Sequence, residues 1–290
     1  MQMVRLYLLA RLAAVSTLLT LASPGCRGST PSGRQGAPPV VTEIPSPVET
    51  ETQAVRWVKV AAPGVGVMFA AVARPQGAGP FPAVIILHGS HGFAQQYVQL
   101  AQAMARSGVI GVGACWFAGG RGAGSRFITP IECPEAPPLS DASSPVALQA
   151  VDALVQAVRS LPDVRPDRVA LFGHSRGGGA TLNYILGTGT VQAAVLNSAG
   201  YPVELAKRAP EVKVPILMLH GTADSPADGG STFTNVQMAR DFEVALRRAG
   251  KRVEAKYYEG GGHNGIFTSA TQYDDEVQRM TAFLKRHLFN

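Results

Sequence analysis

A chain of 290 residues with 46% hydrophobic and 16% charged residues suits one large α/β domain and excludes an intrinsically disordered protein. The formal net charge is +6. Its basic residues gather in the first 34 positions (Arg5, Arg11, Arg27, Arg34) and on one late helix and strand (Arg240, Arg247, Arg248, Lys251, Arg252, Lys256). Without aromatic interleaving or a nucleic-acid motif, that late group reads as a solvated face and no nucleic-acid partner is expected.

Residues 1–26 carry Arg5 and Arg11, then Leu12–Ala22, apolar apart from Ser16, Thr17 and Thr20. The uninterrupted run is too short to span a bilayer and fits a secretory signal. Leu21-Ala22-Ser23-Pro24-Gly25-Cys26 resembles a bacterial lipoprotein signal, in which lipidated Cys26 would attach the protein to a membrane; cleavage after Ala22 is the rival. Either way the protein is expected to be exported: periplasmic, attached to the cell envelope, or secreted. Residues 27–52, rich in Gly, Pro, Ser and Thr, read as a flexible linker. The catalytic domain is expected over 53–290.

Val55–Val60 and Val65–Ala73 form a predicted hairpin around Ala61-Ala62-Pro63-Gly64. Phe81–Leu87 is a continuous apolar run, as in a strand buried on both faces of a parallel sheet. Further strands are predicted at 109–114, 168–172, 191–196, 214–219 and 253–258. Helices are predicted at 95–107, 148–160, 177–186, 235–249 and 273–288. This alternation predicts an α/β fold, with a mostly parallel central sheet and helices on both faces. Residues 115–144 break the rhythm with Gly, Pro and aromatics, and irregular segments of that length are commonly functional.

Within 168–180, RVALFGHSRGGGA, a strand runs through Gly173-His174-Ser175-Arg176-Gly177 into a helix. That is the setting of a nucleophile elbow. Asp224 and His263 follow the strands at 214–219 and 253–258, so Ser175, Asp224 and His263 all fall at carboxyl ends on one sheet edge. Serine needs a base to take its proton, histidine titrates in the right range, and a carboxylate fixes the imidazole tautomer. Asp228 is the rival acid. Backbone N–H groups of Arg176 and of the loop His88–Phe93, Ser90 first and His91 next, are the expected oxyanion donors. His88-x-x-His91 lacks a joining Cys or carboxylate cluster, so no metal is expected.

The motifs ILHGSHGF (Ile86–Phe93), GHSRGG (173–178), LHGTAD (219–224) and GGGHNG (260–265) resemble those of the α/β-hydrolase superfamily, in its dienelactone-hydrolase-like and small serine esterase branch. The resemblance covers roughly residues 54–290. It implies the α/β-hydrolase fold and an enzyme that cleaves a small-molecule carboxylic ester on a Ser175-His263-Asp224 triad through an acyl-enzyme, with no cofactor. Dienelactone hydrolases commonly use cysteine where this chain has Ser175, which favours a serine esterase. A serine peptidase or amidase, and a non-catalytic cell-surface binding protein on the same fold, are the alternatives. A monomer or small homo-oligomer is expected.

With Cys26 assigned to the signal, Cys115 and Cys133 are an even pair flanking the irregular segment, and an exported domain favours a disulfide between them over two free thiols. The tied loop is then expected to wall a substrate pocket through Trp116 and Phe127, with His91 and Phe93 from the earlier loop. Arg121 or Arg126 would favour an acidic substrate.

Overall fold

The computed structural model describes residues 37–48, 55–120, 126–187 and 189–290. The signal segment with Cys26, most of the linker, and Arg121 lie outside the described residues. Among the described residues, nine strands form one sheet: β1 (Val40–Ile44), β2 (Arg56–Ala62), β3 (Gly66–Ala73), β4 (Phe81–Leu87), β5 (Ile110–Cys115), β6 (Val164–His174), β7 (Ala193–Asn197), β8 (Ile216–Gly221) and β9 (Val253–Tyr258). Their spatial order is β1-β2-β3-β5-β4-β6-β7-β8-β9. The first three strands and the β3–β5 junction pair antiparallel; the rest pair in parallel.

The described residues also form seven helices: α1 (Gln95–Arg106), α2 (Pro145–Arg159), α3 (Arg176–Leu186), α4 (Val203–Lys207), α5 (Val236–Arg248), α6 (Gly265–Thr268) and α7 (Ala270–Leu288). Every residue of β5, β7 and β8 is buried, and β6 is buried from Val169 to His174, as their apolar runs require. Caps set the starts of several helices. Ser144 accepts from Ala147 N–H ahead of α2, Asn235 from Gln237 N–H ahead of α5, and Ser269 from Gln272 N–H ahead of α7.

The domain begins earlier than the sequence reading places it. Val40–Ile44, inside the segment read as linker, pairs antiparallel with β2, Val41 opposite Val60. A half-exposed edge strand carries a weak apolar signal, and the Pro and Gly around it masked its β-branched residues. The short α4 and α6 also escaped the periodicity, being too brief to show one.

Candidate active site

Strand β6 ends at His174, and the chain then turns sharply through Ser175 into α3. Ser175 has φ 53° and ψ −114°, in the positive-φ region that a non-glycine residue occupies only when its surroundings impose it. Its N–H donates to the Asn197 carbonyl at the end of β7, at 2.8 Å. The flanking glycines are dictated by backbone crowding. A Cβ on Gly173 would lie 2.1 Å from the Gly177 carbonyl oxygen, and one on Gly177 would lie 2.3 Å from that of Leu87.

The structure brings together all three residues that the sequence placed on this edge. His263 Nε2 lies 2.8 Å from Ser175 Oγ, and His263 Nδ1 lies 2.8 Å from Asp224 Oδ2. Thr234 Oγ1 donates to Asp224 Oδ1 at 2.8 Å. The buried His220 puts Nε2 3.3 Å from Asp224 Oδ2 and 2.6 Å from the Thr234 carbonyl. Burial alone would raise the Asp224 carboxyl, but hydrogen bonds and charge from His220 and His263 outweigh it and hold the group at about 2. Asp228 has a different place: its Oδ2 accepts the backbone N–H of His263, and its carbonyl accepts from Asn264 Nδ2 at 3.0 Å.

The loop after β4 runs directly against Ser175. A Cβ on Gly89 would stand 3.2 Å from Ser175 Cβ and 2.9 Å from His174 Cδ2. Gly89 N–H is spent on the Tyr97 hydroxyl at 2.9 Å, and Gly92 N–H on the Gly89 carbonyl at 3.1 Å. Ser90 and His91 stand between those two glycines on the loop, and Arg176 opens the first turn of α3, where backbone donors have no helical partner. Arg176 also donates through Nε to Ser90 Oγ at 3.1 Å and through Nη1 to the Ser140 carbonyl at 2.5 Å.

The two histidines of this loop serve as neutral hydrogen-bonding rings. His91 Nε2 meets the Tyr97 hydroxyl at 2.7 Å, and His88 Nε2 accepts from Trp116 N–H at 3.4 Å. Burial lowers His88 to about 3, and burial with the neighbouring His174, His88 and His263 lowers His91 to about 2.

The expected pocket wall is only partly there. Cys115 and Cys133 are joined in a disulfide, and the loop between them touches the site through Phe127. The Phe127 ring stands edge-on to His91 at 5.5 Å. Trp116 is a correction: it is buried, and its Nε1 donates to the His88 carbonyl at 3.0 Å, so it supports the loop after β4 from within. Phe93 is likewise buried, packed against Trp57, Phe69 and Tyr97. Arg126 is exposed. Phe267 of α6 is the residue the sequence reading missed. It stacks on Phe127 at 6.2 Å and meets His174 edge-on at 5.1 Å, next to His263. Its position four residues after His263 was the available signal.

A hydroxyl, an imidazole and a carboxylate in line can transfer an acyl group where backbone donors stabilise the oxyanion. Among solved structures, a dienelactone hydrolase from Klebsiella pneumoniae subsp. pneumoniae MGH 78578, described as putative in its name, superposes with TM-score 0.60 at 19% identity, over 86% of this chain and 99% of that one. A dienelactone hydrolase-like promiscuous phosphotriesterase, P91, from metagenomic libraries gives 0.62 at 17%, over 81% and 99%. The Pyrococcus furiosus esterase Pf2001 gives 0.58 at 13%, over 86% and 93%. These likenesses establish the α/β-hydrolase fold. No curated protein matches the sequence. The sequence pattern of the dienelactone hydrolase family matches residues 68–288, which include Ser175, Asp224 and His263, and the chain belongs to that family of hydrolases.

Proposed function

We propose that the protein is a serine hydrolase that cleaves small carboxylic esters through an acyl-enzyme. The observation that carries this reading is the unbroken line from Asp224 Oδ2 through His263 to Ser175 Oγ, with both contacts at 2.8 Å. Ser175 Oγ attacks the ester carbonyl carbon while His263 Nε2 takes its proton. The negative oxygen of the tetrahedral intermediate sits between Arg176 N–H and Ser90 N–H, with His91 N–H beside them. When the intermediate collapses, the carbon–oxygen bond to the alcohol breaks and His263 returns the proton to the leaving oxygen. Water then repeats the sequence on the acyl-enzyme, releasing the carboxylic acid and restoring Ser175.

Asp224 keeps Nδ1 protonated and stabilises the imidazolium, and its low pKa keeps it ionised throughout. The border formed by His91, Phe127 and Phe267 supports a substrate with an apolar acyl or alcohol group. Export and lipid attachment at Cys26 belong to the same proposal, supported by the Cys115–Cys133 bridge, since such bridges persist in oxidising compartments.

A fluorophosphonate probe tests the chemistry. Ser175 is expected to be labelled, and Ser175→Ala to abolish both labelling and hydrolysis of nitrophenyl esters. Labelling that survives Ser175→Ala would refute the assignment. Mass spectrometry of the amino terminus from a bacterial host tests the address: acylated Cys26, or cleavage near Ala22, supports export, and a cytoplasmic pool retaining Met1 refutes it.

A further inference from the structure

The border formed by His91, Phe127 and Phe267 holds one polar ring, and the two nitrogens of that ring are unequally used. His91 Nε2 meets the Tyr97 hydroxyl at 2.7 Å, and the same hydroxyl accepts the Gly89 N–H at 2.9 Å. Tyr97 has no solvent exposure, so its own proton needs an acceptor inside the fold. Gly89 brings only a donor to it. His91 Nε2 is the acceptor that remains, and Tyr97 Oη donates to it.

That contact fixes the tautomer of His91. The ring is neutral, held so by burial and by the neighbouring His174, His88 and His263. A neutral imidazole has one N–H and one lone pair. With the lone pair of Nε2 given to Tyr97, the proton sits on Nδ1. The opposite tautomer would set two donors, Gly89 N–H and His91 Nε2–H, against one phenol oxygen. It would also leave the buried Tyr97 O–H without an acceptor, which is costly.

Among the described residues nothing accepts from His91 Nδ1, and the residue is only half-buried. Its surroundings place this donor beside the reacting group. A methyl group on Gly89 would stand 3.3 Å from His91 Cε1, the carbon between the two nitrogens, and 3.2 Å from Ser175 Cβ. The nitrogen-bearing edge of the ring thus comes within one small group of the serine that an ester must reach. Phe127 and Phe267 stand edge-on to the ring at 5.5 and 5.7 Å and carry no polar atom. The Nδ1–H is therefore the polar side-chain group of this three-ring border, and it is separate from the backbone N–H of the same residue.

A donor in that position discriminates. An apolar substrate lying over it strips its water and returns nothing, whereas an acceptor oxygen restores the lost hydrogen bond. The ring carries no charge, so it matches an ether, hydroxyl or keto oxygen and gives no ionic grip on a carboxylate.

Resting on the serine-hydrolase reading, we propose that His91 is a specificity-determining residue: its Nδ1–H, fixed by Tyr97, selects esters that carry a second, uncharged acceptor oxygen within a few bonds of the reacting carbonyl.

The test uses matched esters in which an oxygen replaces one CH2. Nitrophenyl methoxyacetate is paired with nitrophenyl butyrate for the acyl side, and methoxyethyl acetate with butyl acetate for the alcohol side. Within each enzyme the kcat/KM of the oxygen-bearing ester is divided by that of its plain partner, and the wild type is compared with His91→Phe. The ratio cancels both the intrinsic reactivity of the esters and any general loss of activity in the variant. Phenylalanine keeps a ring and removes the donor, so the ratio is expected to fall about three- to tenfold in at least one pair, the scale of one neutral hydrogen bond. A ratio unchanged in both pairs overturns the proposal, including the case in which every ester slows alike. A nitrogen NMR spectrum of the wild-type imidazoles reads the tautomer directly and needs no variant. For His91, a proton on Nδ1 supports the proposal and a proton on Nε2 overturns it. A wild type that neither reacts with fluorophosphonate nor cleaves esters brings down the serine-hydrolase reading and this proposal with it. A wild type that cleaves esters, with ratios that His91→Phe leaves unchanged, brings down this proposal alone.

Discussion

Arg176 Nε donates to Ser90 Oγ at 3.1 Å, so the two residues proposed to supply the oxyanion donors are also tied through their side chains. The same guanidinium reaches the Ser140 carbonyl and so links α3, the loop after β4 and the end of the irregular segment. Replacing Arg176 by Ala is expected to lower kcat by about tenfold or more, as the spacing of the two donors loosens. Arg176→Lys, lacking the fork that serves two acceptors, is expected to recover only part of this. Steady-state kinetics on a nitrophenyl ester provides the check, and a change in KM alone would show that the tie does not act on the transition state.

The two acids near His263 have separable tasks. Asp224→Asn is expected to cost several orders of magnitude in kcat through the wrong imidazole tautomer. Asp228→Asn keeps an oxygen for the His263 N–H and is expected to retain most activity. His263→Ala should be as severe as Ser175→Ala, and the double variant little worse than either, because the pair acts as a unit. Near-normal turnover in Asp224→Asn would count against this division.

Reducing the Cys115–Cys133 bridge is expected to destabilise the fold by roughly 3 kcal/mol, since the 18-residue separation closes a loop of moderate size. Substrate preference should shift as well, because Phe127 lies within that loop. Thermal melts with and without reductant, paired with ester-panel kinetics, measure both effects. Unchanged melting would mean that the bridge leaves the unfolded chain no less free.

Stability should peak near pH 6.5. His88, His91 and His174 are held neutral by burial, well below their ordinary value of 6.5. The unfolded chain therefore binds more protons as pH falls from 6.5 towards about 3, and stability declines in that window. Glu276 has the opposite sign. Its folded value of about 8 lies above the ordinary 4.5, so the stability it contributes is complete below 4.5 and is lost as pH rises towards 8. Tm measured against pH should show both flanks, and Glu276→Gln should flatten the upper one.

Most of this site could be read from the chain because α/β folds place function at predictable points. Ser175, Asp224 and His263 each follow a strand whose apolar run is unmistakable, and parallel strands bring their carboxyl ends to one edge. The errors came where direction mattered more than position. Trp116 and Phe93 were placed correctly in sequence, but nothing local showed that their side chains turn inward. Glu276 left a trace, lying at the four-residue step before Met280 on the buried stripe of α7, yet a single charge on a stripe is easily assigned to a neighbouring face.

The stacked rings of Phe127 and Phe267 come from segments 140 positions apart, and neither residue lies in the sheet. The surface they form beside His174 and His263 is thus hung on the scaffold, while Ser175 and His263 follow strand ends. Replacing either ring would reshape what enters without disturbing a strand pairing. On the proposed serine-hydrolase reading, the chemistry sits in parts that tolerate little change and the choice of substrate in parts that tolerate much, so new preferences would arise by substitution at these rims while the fold stays as it is.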